Sequence, residues 1–154
     1  MDLLKLKKNF IVIGNGNNII FSKEIYSEPF IILNNTFDKI FLEKDCVVAE
    51  AGATTIQLCE FALKHKLSGC EFLFDIPSSI GGAVFMNAGT KEGETKNILK
   101  TVNYIDLKNN SLKKITNKEI NFRYRNSYFQ KTGDKIITKA WFKLKEGDPK
   151  NIQT

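Results

Sequence analysis

Histidine and cysteine are scarce in this chain of 154 residues: one histidine, His65, and three cysteines. Cys46, Cys59 and Cys70 are odd in number and have no CxxC spacing, so neither a disulfide framework nor a structural zinc site follows from them. They read as small buried residues, and free thiols fit a reducing compartment. His65 lies between Lys64 and Lys66 near the end of a helical pattern, which describes a solvated side chain rather than a base or a covalent anchor. Long hydrophobic runs are missing too. The start, MDLLKLKKNFIVIG, has a short apolar run after its lysines but no small-residue cleavage site, and nothing reaches the length of a membrane span. The expectation is a cytoplasmic protein with no membrane partner. Basic runs are also lacking. The net charge is +6, but the lysines fall singly or in pairs among Asp, Glu and Asn, as a solvated surface does and a nucleic-acid face does not.

What is present is a composition that folds. Hydrophobic residues at 42% and charged residues at 26% lie near globular averages. A compact chain of this length buries roughly 70% of its unfolded surface. Short β-prone runs at Phe10–Ile13, Phe30–Leu33, Lys39–Leu42 and Val47–Glu50 suggest a small meandering sheet. A helix is predicted to start after Ala51-Gly52-Ala53, with Thr54 as N-cap and Gln57 three residues on completing a capping box; Gly69 offers a stop. Pro77 breaks any helix through the next segment, and Ser78 or Ser79 can cap a new one. Thr101–Leu107, Leu112–Ile115 and Ile136–Leu144 read as a second sheet-rich lobe.

Two glycine-bearing bends carry the chemistry. In Gly14-Asn15-Gly16-Asn17-Asn18, two glycines at the end of a strand allow a tight turn that brings successive N–H groups to one side, where a diphosphate fits. An ordinary turn would have the same residues. The spacing is neither GxGxxG nor a P-loop, so no Rossmann turn is supported. In Ser78-Ser79-Ile80-Gly81-Gly82-Ala83, a helix start almost bare of side chains can present N–H groups and the positive dipole end to a ligand, or serve close helix–sheet packing.

Taken together and in order, these segments resemble the FAD-binding half of the UDP-N-acetylenolpyruvoylglucosamine reductase family. The matching blocks are Gly14–Asn18, Ala51–Ala53, Leu67–Glu71, Ile76–Gly89 and Phe122–Phe129, which span nearly the whole chain. The resemblance implies an α+β fold: two small α+β subdomains of the FAD-binding type 2 (PCMH-like) kind, with FAD between them. It divides the chain into residues 1–100, with the FAD-contacting helix, and residues 101–146. It also implies that a third, substrate-binding domain carrying the proton donor lies outside this sequence, with a second chain as one source of it.

The activity implied is an NADPH-dependent flavoprotein reduction of a nucleotide-sugar substrate, UDP-N-acetylglucosamine enolpyruvate, to UDP-N-acetylmuramate for peptidoglycan synthesis. By resemblance, FAD contacts fall on Gly14, Asn15, Gly16, Asn17, Asn18, Gly52, Ser79, Ile80, Gly81, Gly82, Ala83 and Asn87. Arg125 would be the arginine that polarises the substrate carboxylate, and Tyr124 a substrate-side neighbour. The sequence departs from the family at Ser78, where Gly is usual, and at Asn17, where Ser is usual. Two alternatives stay open at this point: another oxidase or dehydrogenase of the same superfamily, and a basic binding module without catalysis.

Overall fold

The computed structural model describes residues 10–34, 36–148 and 150. The N-terminal reading of Met1 to Asn9 lies outside them. In chain order the elements are β1 (Ile11–Ile13), β2 (Phe30–Ile32), β3 (Ile40–Glu43), β4 (Cys46–Glu50), α1 (Thr55–Lys64), β5 (Leu67–Ser68), α2 (Ile80–Met86), β6 (Gly89–Thr90) and β7 (Gly93–Glu94). Then follow α3 (Thr95–Ile98), β8 (Leu99–Asp106), β9 (Ser111–Thr116), α4 (Asn117–Ile120), β10 (Lys135–Phe142) and β11 (Lys145–Glu146).

The centre is a five-stranded antiparallel sheet in the order β3-β4-β10-β8-β9. Alternation along the strands sends neighbouring side chains to opposite faces. Val47, Ala49, Ala140 and Phe142 join the main core, while Cys46, Val48 and Trp141 form a small cluster on the other face. There the Trp141 indole Nε1–H donates to Glu43 at 2.7 Å and the Lys114 ammonium sits 4.3 Å from the ring centroid. The main core is completed by Leu58 and Ala62 of α1 and by Ile80 and Val84 of α2. Burial of a side chain such as Leu58 contributes about 1.5–3 kcal/mol.

The sheet is assembled differently from the expected meander. Among the described residues, β1 and β2 pair with each other alone, in parallel, to make a small separate lobe. β3 and β4 form a hairpin, and β4 pairs with β10 from the far end of the chain, Glu50 opposite Lys139. Residues 100 and 101, where the resemblance places a boundary, both lie in β8 of this sheet. Local periodicity cannot reveal which strands pair, because the ladder bonds join residues far apart in sequence.

Helix α1 starts as read from the sequence. Thr54 Oγ1 accepts from the Gln57 N–H at 3.1 Å, and the Gln57 side chain accepts from the Thr54 N–H at 2.8 Å. It ends at Lys64, earlier than Gly69, because Lys66 rather than a glycine takes the left-handed turn, at φ 56°. At α2 the capping choice falls to Ser79, whose Oγ accepts from the Gly82 N–H at 3.1 Å.

Candidate functional site

A cleft of about 500 Å³ opens between the small lobe and the sheet. The glycine loop Gly14–Asn18 forms one rim, and Pro77 to Ser79 with Gly81 and Gly82 form the facing wall. Further in, Phe85, Met86, Ala88, Gly89 and Arg125 line it, and the start of β10, Lys135 to Ile137, closes the floor.

The loop's residues 15–18 are exposed, and among the described residues no hydrogen bond engages the backbone amides of Asn15, Gly16, Asn17 or Asn18. Gly16 sits at φ 75°, a conformation open to glycine at little cost. Gly14 is required for another reason: a Cβ there would collide with Ser79 Oγ. The bare backbone lets the two rims meet.

The facing helix start works differently from the expectation of unpaired N–H groups. The Ile80 amide donates to Ala53 O at 2.7 Å, the Gly81 amide to Ala51 O at 2.9 Å, and the Gly82 amide to the Ser79 cap. A Cβ on Gly81 would lie 3.2 Å from Ala51 Cβ. These glycines bring α2 against the Ala51–Ala53 turn and leave a smooth wall, with the amides already satisfied.

The site residues expected from sequence therefore separate into two groups. Gly14, Asn15, Gly16, Asn17, Asn18, Ser79, Gly81, Gly82 and Arg125 share the cleft. Ile80 and Ala83 are buried behind it, at 0% and 1% exposure. Gly52 supports it from outside, since a Cβ would press within 2.5–2.6 Å of the Phe37 and Asn34 carbonyls. Asn87 is fully buried in a left-handed C-cap; its Nδ2 donates to Arg123 O at 3.0 Å and its Oδ1 accepts from the Lys96 N–H at 3.0 Å. Both ends of that amide are taken by backbone, so it clamps two segments together. Tyr124 is 80% exposed and lines a separate surface depression with Asn121, Arg123 and Lys131.

Arg125 is held in place from below. One guanidinium NH2 group donates to Asn87 O at 3.2 Å and the other to Gly89 O at 2.5 Å, and the group lies 5.0 Å from the Tyr124 ring centroid. Of the five guanidinium N–H bonds, three remain uncommitted among the described residues. Its backbone is left-handed, φ 49°, and its carbonyl accepts from Gln130 Nε2 at 3.1 Å. Gln130 and Ser127 also donate to Phe85 O, at 2.9 and 2.6 Å, locking this loop onto α2.

The residues that sequence reasoning missed are the apolar walls, Val12, Leu33, Phe85, Met86, Ile136 and Ile137, and a buried cation, Lys135. The Lys135 side chain is 5% exposed; its ammonium reaches Asp134 at 2.6 Å and Thr132 Oγ1 at 3.1 Å. Asp134 holds this ammonium above its ordinary pKa against the opposing effect of burial, and Lys135 in turn pulls the Asp134 carboxyl well below the carboxylate range. Glu94 is also lowered, chiefly by Lys96, with Arg125 adding to the effect. The strand pattern of 136–144 was readable, but nothing local says which end of that strand meets the glycine loop. His65 lies elsewhere, its ring stacked on Phe61 with centroids 4.1 Å apart.

The arrangement suits a long, partly apolar ligand with an anionic middle: unpaired amides at one rim, hydrophobic walls beyond, and a fixed guanidinium at the inner end. The chain is 34% identical over 152 residues to a UDP-N-acetylenolpyruvoylglucosamine reductase of Thermosipho melanesiensis, covering 99% of this chain and 51% of the relative. It is 41% identical over 136 residues to the protein of that name from Latilactobacillus sakei, covering 88% of this chain and 44% of the relative. The chain thus spans about half the length of the curated relatives it matches. The crystal structure of UDP-N-acetylenolpyruvylglucosamine reductase from Thermus caldophilus superposes with a TM-score of 0.83 at 29% identity, over 98% of this chain and 55% of that one. An alkyldihydroxyacetonephosphate synthase shares the fold alone, at TM-score 0.62 and 14% identity. Residues 3–115 match the family model described as an FAD binding domain, and the chain belongs to that family.

Proposed function

We propose that this chain is the FAD-binding part of an NADPH-dependent reductase that converts UDP-N-acetylglucosamine enolpyruvate to UDP-N-acetylmuramate. The observation that carries the reading is the convergence of the Gly14–Asn18 loop, the Ser78–Gly82 wall and Arg125 on one cleft. The residues fit FAD. The amides of Asn15 to Asn18 offer four donors to a diphosphate, and Gly14 and Gly81 keep the rims free of side chains. Ile136, Ile137, Leu33 and Met86 offer apolar surface to a ring system.

When bound, the flavin supplies the hydride chemistry; the protein supplies position and field. Arg125 is the residue assigned to the substrate. With two N–H bonds fixed on the Asn87 and Gly89 carbonyls, its remaining donors can hold a carboxylate and stabilise negative charge that grows on it as hydride adds to the adjacent double bond. The apolar walls exclude water and strengthen that interaction. Tyr124 supports the same end by lying against the guanidinium. A cytoplasmic location, a role in peptidoglycan synthesis and the need for a further substrate domain, on this or a second chain, complete the reading; no described helix is long and apolar enough to cross a membrane.

The test is a titration of the purified chain with FAD. Binding shifts the visible flavin bands and changes flavin fluorescence; unchanged spectra at high protein concentration would sink the reading. Joining the chain to the C-terminal half of the Thermosipho melanesiensis relative is then expected to give NADPH oxidation dependent on the enolpyruvyl sugar nucleotide, and Arg125→Ala to abolish it.

A further inference from the structure

We propose that Asn17 is a latch: its side-chain amide ties the small lobe to the facing wall and sets how fast the cleft releases its occupant. The proposal rests on the FAD reading for the occupant but not for the latch itself. Among the described residues, strands β1 and β2 of the small lobe pair with each other and not with the main sheet. Where the lobe joins the rest of the chain, Leu33 and, beyond it, Phe37 pack on the main core and the Phe37 carbonyl accepts from the Gly52 N–H at 2.9 Å, a tight junction that leaves no room for a Cβ on Gly52. That junction is the pivot. At the near end, Gly14 lies against Ser79 Oγ, and Asn17 Nδ2 donates to Pro77 O at 2.8 Å.

The two partners of the latch differ in rigidity. Thr55 anchors the Pro77 side, its Oγ1 donating to Ile76 O at 2.5 Å and Ser78 O at 3.2 Å, and its N–H to Ser78 O at 3.0 Å. The Asn17 side is an exposed loop whose amides at 15–18 have no partner among the described residues. One hydrogen bond from this loop to the anchored wall, spanning 60 positions of sequence, is therefore a polar tie across the mouth among the described residues. Opening the lobe would break it. Hinges of this kind need only a few residues to absorb the motion. A serine at this position is one bond shorter and lacks the amide donor, so it cannot reach the Pro77 carbonyl from the same backbone.

Two measurements decide the matter. On the ligand-free chain, spin labels at Ile20→Cys and Leu112→Cys, both exposed positions, report the lobe-to-sheet distance. The chain with Asn17 is expected to give a narrow distribution, and Asn17→Ala and Asn17→Ser a broader one with a longer mean; coincident distributions would overturn the latch. On the FAD-loaded chain, stopped-flow release is expected to quicken about 2- to 10-fold in both variants, the range one hydrogen bond implies. Unchanged release would overturn the latch, and quickened release with coincident label distributions would mean that Asn17 acts by touching the ligand instead. If the chain binds no FAD, the flavin reading fails, and the label distances alone uphold or overturn the latch.

Discussion

The two glycine-bearing bends that face each other across the cleft look alike in sequence and are used in opposite ways. In the Gly14–Asn18 loop residues 15–18 are exposed and their backbone amides have no partner among the described residues, so donors are left available. At Ser79–Gly82 each amide of the first helical turn already has an acceptor in Ala53, Ala51 or Ser79, and the glycines allow the helix to lie against the turn before α1. In the proposed reading one bend binds and the other shapes. Glycine content marks a close approach without saying whether the approaching group is a ligand or the protein's own backbone.

Substitutions can break this contrast. The largest effect is expected at Gly52, the supporting position below both bends. Gly52→Ala puts a methyl against the backbone of Asn34 and Phe37, which cannot yield as a side chain can, and is expected to cost about 1–3 kcal/mol, read as a lowered urea midpoint. Next comes Ser79→Ala, which removes the cap of α2 and with it the fixed acceptor of the Gly82 amide. The loss is expected to be about 1 kcal/mol of stability, with flavin affinity falling through displacement of the wall.

Gly16→Ala sharpens the contrast in the opposite direction. A Cβ there meets open space, so the cost is confined to the left-handed backbone, about 1 kcal/mol, and is expected to appear mainly as weaker FAD binding. If Gly16→Ala lowers the urea midpoint more than Ser79→Ala while leaving FAD affinity intact, the assignment of roles to the two bends is reversed.

The smallest effect concerns the cleft floor. Lys135, then Thr132 and Lys108, hold the Asp134 carboxyl well below its usual range. A carboxyl depressed on folding contributes stability that is fully present above its unfolded value, near pH 4, and is lost as pH falls through the lower folded value. Asp134→Asn is therefore expected to lower the urea midpoint at neutral pH, with the gap to the unaltered chain closing as both are titrated below about pH 4. A gap that stays constant to low pH would remove the ion pair from the account.

Much of the local structure was readable because its causes are local. The capping box of Thr54 and Gln57 lies within four residues, and the strand periods of 101–107 and 136–144 reappear as β8 and β10 with small shifts at their ends. The glycine loop stood out because a β-rich run stops abruptly at it. Other features were hidden for equally physical reasons. Asn87 was expected at the ligand, yet its amide joins Arg123 and Lys96 from the interior. Tyr124, next to Arg125 in sequence, is mostly exposed and lines a surface depression, with one face of its ring against the guanidinium.

The sequence by itself determined where helices and strands begin and which bends lack side chains, since each depends on neighbours a few residues away. Tertiary structure alone decided that β4 pairs with β10, that Ala51 and Ala53 take up the α2 amides, and that the Asn87 and Gly89 carbonyls hold Arg125. The reason is that a backbone donor or acceptor is the same group at every position. Which partner it finds depends on the packing of the whole sheet and its helices, and no local pattern of side chains encodes that choice.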